Sequence, residues 1–126
     1  MTATTDCILT LDYEIFGNGL GDVRTDVIEP AHRVLSLCNA HHAKMTIFFE
    51  VAEYWAFERY DAHLRDSLGY SPCEEMRKQA TDAIAQAHDV QLHLHPQWIG
   101  AVYDGHAWQL NTSRWRLADL SDDPRD

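Results

Sequence analysis

The sequence predicts an α/β domain in which short parallel strands alternate with helices. Three short apolar runs favour strands near residues 6–13, 45–50 and 89–95, and helical patterns lie between them. The chain has 126 residues, of which 45% are hydrophobic, so it is long enough for one domain with a core and too short for two. We therefore treat residues 1–126 as a single domain.

The first predicted strand ends in carboxylates. Its apolar run, DCILTL, is rich in strand-forming residues, and Asp12 and Glu14 follow directly. The glycine-rich stretch GNGLGD comes next and predicts a loop. Pro30 then opens a helical pattern to about residue 42, since proline is tolerated in a first helical turn.

The second strand, KMTIFFE, leads into two further helical patterns. Aromatic residues alternate with charges over residues 51–65 and favour an amphipathic helix. Ser71, Pro72 and Glu74 have the spacing of a capping box and predict a helix that starts there and runs to His88. The third strand follows as DVQLHL.

Two histidines end the third predicted strand, in the run VQLHLHP. His93 and His95 are two residues apart, and so are Asp12 and Glu14, so each pair points to one face of its strand. Ligands bind at the carboxyl ends of parallel strands, where both pairs are expected. Imidazole and carboxylate ligands favour an open site for zinc or a related divalent ion. The alternative is that each histidine is an ordinary core or surface residue. The other histidines are interpreted as helix-end or solvent-exposed residues.

Composition argues against several classes of protein. The formal net charge is −10, which disfavours binding to nucleic acid or to anionic membrane surfaces. No stretch approaches the roughly 18 apolar residues of a membrane span, and the first residues lack the pattern of a signal peptide. We therefore expect a cytoplasmic protein. Cys7, Cys38 and Cys73 are widely spaced and are expected to be reduced, buried thiols.

Three segments resemble, in the same order, motifs of the NodB-homology polysaccharide deacetylases, which are metal-dependent enzymes that remove acetyl groups from N-acetylated sugars. LTLDYE is similar to the first motif of that family, a strand ending in T-F-D-D-G. KMTIFFE is similar to its ATFF segment, and AHDVQLHLHP to its GHEIGNH…HP segment. The resemblance extends over about residues 6–98.

The chain departs from the family pattern in two places. One residue instead of three separates the two histidines, and Asp12-Tyr13-Glu14 stands where the family has an adjacent Asp-Asp pair. In these features the chain most resembles a D-x-E and H-x-H-P branch among deacetylase-like proteins of lipopolysaccharide biosynthesis. The resemblance implies that His93 and His95 bind the metal and that Asp12 is the catalytic base. By position the metal-binding aspartate of the family falls on Tyr13, and we assign its role to Glu14, which shares a face with Asp12. The opposite assignment, with Asp12 as ligand and Glu14 as base, stays open.

The resemblance also implies a fold and an activity. The expected fold is a partial (β/α) barrel of the polysaccharide deacetylase type, corresponding to the N-terminal half of that domain. Three strands cannot close a barrel, so we expect the remainder of a longer chain, a partner or copies of this chain to complete it. The expected activity is hydrolysis of acetyl groups from N-acetylated sugars of a polysaccharide or lipopolysaccharide precursor, with a divalent metal, zinc first, activating water.

Two alternatives remain open from the sequence. One is a catalytically incomplete carbohydrate- or metal-binding remnant of the same fold, in which Trp98, Trp108 and Trp115 contact sugar rings. The general acid that would protonate the leaving amine is not identifiable, which is compatible with this alternative. The other is an α/β interaction domain whose histidines bind no metal.

Overall fold

The computed structural model describes residues 5–120, which form a mixed α/β structure with three parallel strands and four α-helices. The elements in chain order are β1 (Leu9–Tyr13), a π-helical segment (Val23–Ile28), α1 (Glu29–Ala40), β2 (Met45–Glu50), α2 (Val51–Arg59), α3 (Asp61–Leu68), α4 (Pro72–Ala85), β3 (Asp89–His93), a short 3-10 turn (Pro96–Trp98), β4 (Val102–Tyr103), β5 (Trp108–Gln109) and a second 3-10 turn (Leu117–Asp119). The α/β class predicted from the sequence is confirmed.

The main sheet has the strand order β1-β2-β3, and both neighbouring pairs are parallel. In the register of the sheet, Asp12 lies beside Phe48 and Glu50 beside His93. The prediction for β2 is confirmed residue by residue. The other two predicted strands were too long. Residues 6–8 precede β1, and β3 ends at His93, so His95 lies beyond the paired strand.

The two faces of the sheet differ in character. Tyr13 and Ile47 lie on the face that packs against the helices, and both are buried. The Tyr13 ring stacks on Phe49 with centroids 5.4 Å apart, and its hydroxyl donates a hydrogen bond of 2.7 Å to Gln79 of α4. Because side chains alternate along a strand, Asp12 points to the opposite face. We call this second face, which carries Thr10, Asp12, Phe48 and Gln91, the open face.

Local signals explain the helix boundaries. The Ser71 hydroxyl accepts a hydrogen bond of 3.1 Å from the Glu74 backbone N–H, which confirms the predicted cap of α4. The helix ends at Ala85, three residues before the predicted end at His88. The single helix predicted over residues 51–65 is two helices, α2 and α3, which meet at Tyr60.

His88 is a buried residue between α1 and the sheet, which corrects its interpretation as a helix-end residue. Its Nδ1 accepts a hydrogen bond of 3.2 Å from the Met45 backbone N–H. Its Nε2 lies 3.1 Å from Oδ1 of Asn39, an arrangement that suits a neutral ring with the proton on Nε2. Burial, with a smaller contribution from the Lys44 charge, lowers the pKa of His88.

The C-terminal part contains a small hairpin that the sequence pattern did not predict. β4 and β5 pair antiparallel, and Trp108 of β5 packs against Phe57 and Trp98 at centroid distances of 5.2 and 5.4 Å. Trp98 is fully buried, whereas Trp115 is exposed. Packing therefore accounts for Trp98 and Trp108.

Two further expectations concern cysteines and membranes. All three cysteines are free thiols, but Cys7 is exposed, because it precedes β1 and lies outside the core; Cys38 and Cys73 are buried as predicted. Between residues 5 and 120, none of the helices combines the length and the apolar character that crossing a bilayer requires.

Candidate metal centre

Three of the predicted site residues meet at the carboxyl ends of the strands. Glu14 directly follows β1, His93 is the last residue of β3, and His95 lies two residues further on. Nε2 of His93 lies 2.9 Å from Nε2 of His95. Oε2 of Glu14 lies 3.0 Å from Nε2 of His95 and 3.7 Å from Nε2 of His93. The predicted convergence of these three side chains is therefore observed.

These three atoms are close enough to contact one cation. A circle through points separated by 2.9, 3.0 and 3.7 Å has a radius of about 1.9 Å, slightly less than the roughly 2.0–2.2 Å of zinc–nitrogen and zinc–oxygen bonds. The three distances therefore allow one ion to lie at bonding distance from all three atoms. The donor set, two imidazoles and one carboxylate, suits zinc and other divalent transition metals.

Glu50 is a fourth residue of this cluster, and it was not among the site residues predicted from the sequence. One ligand atom each from Glu14, Glu50, His93 and His95 lie within 4.8 Å of one another. Glu50 is the last residue of β2, the central strand, and its side chain is fully buried. The available signal was its position at the end of KMTIFFE, beside the expected ends of the other two strands.

The Glu50 carboxylate is held by three backbone donors. Oε2 accepts a hydrogen bond of 2.8 Å from the N–H of His95. Oε1 accepts from the N–H groups of Ala52 and Glu53 at 3.0 and 3.3 Å, so Glu50 also caps α2. Burial raises the pKa of Glu50, and these hydrogen bonds oppose the rise because they stabilise the carboxylate.

A second buried carboxylate, Glu53, lies behind the cluster. Both of its oxygens are 3.2 Å from the backbone N–H of Ile15, the residue after Glu14. Burial raises the pKa of Glu53 well above its usual range, and the charges of Glu14 and Glu50 raise it further. Three carboxyl groups thus converge at this edge of the sheet, where a bound cation would stabilise their ionised forms.

Asp12, the predicted base, is on the open face but outside the cluster of four ligand atoms. It is exposed and lies on β1 beside Phe48. Phe48 in turn contacts the site, with its ring centroid 6.3 Å from that of His93. Asp12 therefore shares a face with the cluster without joining it.

The turn after β3 fixes His95 from its other side. Pro96–Trp98 form a 3-10 turn in which the N–H of Trp98 donates to the carbonyl of His95 at 3.1 Å. Because the Trp98 ring is buried against Phe57, this turn is anchored in the core. His95 is thereby held between a packed aromatic residue and the Glu50 carboxylate.

No family model, curated protein or solved structure matches this chain. The resemblance to the NodB-homology deacetylases consequently depends on the three sequence motifs. The function proposed below combines those motifs with the geometry of the site.

Proposed function

We propose that this chain is a metal-dependent hydrolase that removes acetyl groups from N-acetylated sugars of a polysaccharide or lipopolysaccharide precursor. The observation that carries the proposal is the convergence of Glu14, His93 and His95, whose ligand atoms are separated by 2.9–3.7 Å. Of the residues that meet, His93 and His95 match the histidines of the family motif, and Glu14 takes the ligand role that falls by motif position on Tyr13. Motif order and spatial convergence are separate observations, and both support the two histidines as ligands.

The arrangement of the sheet supports a partial (β/α) barrel. Consecutive parallel neighbours in the order β1-β2-β3 are the arrangement expected of a barrel segment. The open face carries polar residues, among them Asp12 and Gln91, and the cluster lies at its carboxyl end, where active sites of such barrels are found. We propose that further strands complete the barrel, since three strands cannot close one.

The residues divide into metal ligands and a base. Glu14, His93 and His95 would hold a divalent ion, with zinc as the expected metal. Such an ion supplies a Lewis acid that polarises an acetamide carbonyl and acidifies water. Asp12, exposed on the same face, would accept the proton of the attacking water. The Phe48 ring forms an apolar wall beside His93.

The ligand assignment is tested by metal binding to the purified protein and to a double variant, His93→Ala with His95→Ala. We expect wild-type protein to bind one divalent ion, measured by mass spectrometry and calorimetry, and the double variant to bind none. His106→Ala is the matched control, because His106 is exposed in the β4–β5 hairpin. Metal content that stays the same in the double variant would refute the assignment.

The catalytic assignment is tested by acetate release from N-acetylated sugars, presented free, as oligosaccharides and attached to lipid carriers. We expect Asp12→Asn to keep the metal and to lose about 10²–10⁴-fold in rate, the usual contribution of a general base. Glu14→Gln is expected to lose the metal. The reverse pattern would exchange the roles of Asp12 and Glu14.

The alternative is a metal-binding remnant without hydrolytic activity. The observation in its favour is that Asp12 lies outside the cluster of ligand atoms. Burial of Trp98 and the packing of Trp108 against it disfavour sugar stacking at these two residues, whereas Trp115 is exposed. Stoichiometric metal binding without acetate release from any substrate form would favour this alternative.

A further inference from the structure

The two proposed ligands Glu14 and His95 lie beyond the ends of their strands. β1 ends at Tyr13 and β3 ends at His93, so backbone pairing within the sheet does not fix either residue. Metal ligands nevertheless require orientation to within about half an ångström, which their supporting residues must provide. The contacts that fix these two segments are therefore informative about function.

Both segments are held by carboxylates of one short stretch, the junction of β2 with α2. Glu50 accepts the N–H of His95 at 2.8 Å, and Glu53 accepts the N–H of Ile15 at 3.2 Å with each of its oxygens. Both side chains are fully buried. One helical turn thus contacts the backbone on both sides of the cluster.

We propose that Glu50 and Glu53 are positioning residues, which hold the backbone at His95 and Ile15 and so fix the separation of Glu14 from the two histidines. This inference depends on the proposed metal-binding function. Neither residue need contact the metal for this role. Their effect is transmitted through the main chain, in the way that outer-sphere hydrogen bonds orient the ligands of other metal sites.

Packing alone does not account for a carboxylate at position 53. Its side chain is fully buried, and taking a carboxyl group out of water is costly. An apolar residue would avoid that cost but would leave the N–H of Ile15 without its acceptor. A glutamate here is therefore unfavourable for stability unless its oxygen atoms are needed for that hydrogen bond.

Glu53→Leu and Glu53→Gln separate the proposed role from a purely structural one. Leucine removes the acceptor, whereas the glutamine carbonyl can still accept the N–H of Ile15. Glu58→Gln is the matched control, since it makes the same chemical change at an exposed position of the same helix. All variants are full-length and are compared after thermal unfolding has established the folded fraction.

Two measurements are made on each variant. The first is hydrogen exchange of the Ile15 and His95 amides by NMR without added metal. The second is titration with Co²⁺ alone, following the absorption bands that report ligand geometry. We expect Glu53→Leu to lose protection at Ile15 but not at His95, to weaken Co²⁺ binding about 10–100-fold and to alter the Co²⁺ spectrum. Glu53→Gln and Glu58→Gln should remain close to wild type.

Three outcomes would overturn the inference. If the Ile15 amide exchanges at the same rate in Glu53→Leu as in wild type, the hydrogen bond from Ile15 to Glu53 does not hold that segment, and the inference fails. A loss of stability with unchanged Co²⁺ affinity and spectrum per folded molecule would make Glu53 purely structural. Absence of Co²⁺ binding by wild-type protein would refute the proposed function and, with it, the positioning role. In this last case the Ile15 amide would still lose protection from exchange in Glu53→Leu. Failure of the proposed function can therefore be told apart from failure of the hydrogen bond between Ile15 and Glu53.

Discussion

Tyr13 offers a direct test of which residues belong to the site, because the resemblance to the deacetylase motif would put a metal-binding aspartate at its position. In the structure its side chain points away from the cluster, stacks on Phe49 and donates a hydrogen bond of 2.7 Å to Gln79. The change Tyr13→Phe keeps the ring and removes only the hydroxyl. We expect it to reduce stability and to leave metal binding intact.

The magnitude follows from what the change removes. A hydrogen bond of this kind contributes about 0.5–1.5 kcal/mol, and leaving a buried acceptor unpaired costs about 1–3 kcal/mol. The Gln79 side chain is only partly buried, so water can replace the hydroxyl in part. The stacking on Phe49 is retained. We therefore expect a loss of about 1–1.5 kcal/mol in the free energy of unfolding, which corresponds to a melting temperature lower by about 3–6 °C.

The assay is urea unfolding of wild type and Tyr13→Phe with metal removed, followed by a Co²⁺ titration of both proteins. The midpoint should fall while the slope with denaturant stays constant, since the surface exposed on unfolding is unchanged. Gln79→Ala and the double variant complete a cycle that isolates the pair. A Co²⁺ affinity that drops tenfold or more in Tyr13→Phe, with unchanged stability, would refute the placement of Tyr13 in the core. Tyr13 would then have to belong to the metal site.

Two further predictions concern stability away from the cluster. Burial lowers the folded-state pKa of His88, so its contribution to stability should be present above about pH 6.5, the unfolded value, and be lost as the pH falls below it. Protonation of Nδ1 would remove the acceptor for the Met45 N–H. The difference in urea midpoint between wild type and His88→Phe should therefore shrink from pH 8 to pH 5. A difference that stays constant with pH would contradict this. Gly19 has a φ of +77°, and a Cβ added there would lie 2.9 Å from Cβ of Trp108. Gly19→Ala should therefore lower the free energy of unfolding by about 1–3 kcal/mol in the same assay. Gly17→Ala is the control, because the space around Gly17 is open and the added methyl group meets no clash. Equal midpoints for the two glycine variants would show that the hairpin yields to the added methyl group.

The strands and the start of α4 could be predicted from the sequence because their signals are local. The continuous apolar run of β2 and the Ser71 cap each depend on a few adjacent residues, and both predictions are confirmed. The break between α2 and α3 at Tyr60 has no comparable signal, since neither proline nor glycine marks it. The pairing of β4 with β5 was also missed. Those strands have only two residues each, and the packing of Trp108 on Phe57 and Trp98 is a tertiary effect.

For the site, the alternation of an extended chain, continued past the ends of β1 and β3, was sufficient to predict that Glu14, His93 and His95 face one another. It was not sufficient to place Asp12 in the cluster, because the same alternation puts Asp12 on the correct face but two residues before Glu14. The distance along the strand, about 6–7 Å for two residues, is what separates Asp12 from the cluster. Two residues on the same face of a strand therefore need not belong to the same site.

The omission of Glu50 has a geometric reason that also bears on how the site is built. β1 and β3 are not neighbours, since β2 lies between them, and strands are spaced about 4.8 Å apart, so the ends of β1 and β3 are separated by about 10 Å. Glu14 can meet the histidines only by reaching across the end of β2. The side chain at the end of β2 must therefore either leave space for Glu14 or contact the cluster itself. Glu50 leaves space because one of its carboxylate oxygens is turned towards α2, where it accepts from the N–H groups of Ala52 and Glu53. It contacts the cluster because its other oxygen accepts from the N–H of His95.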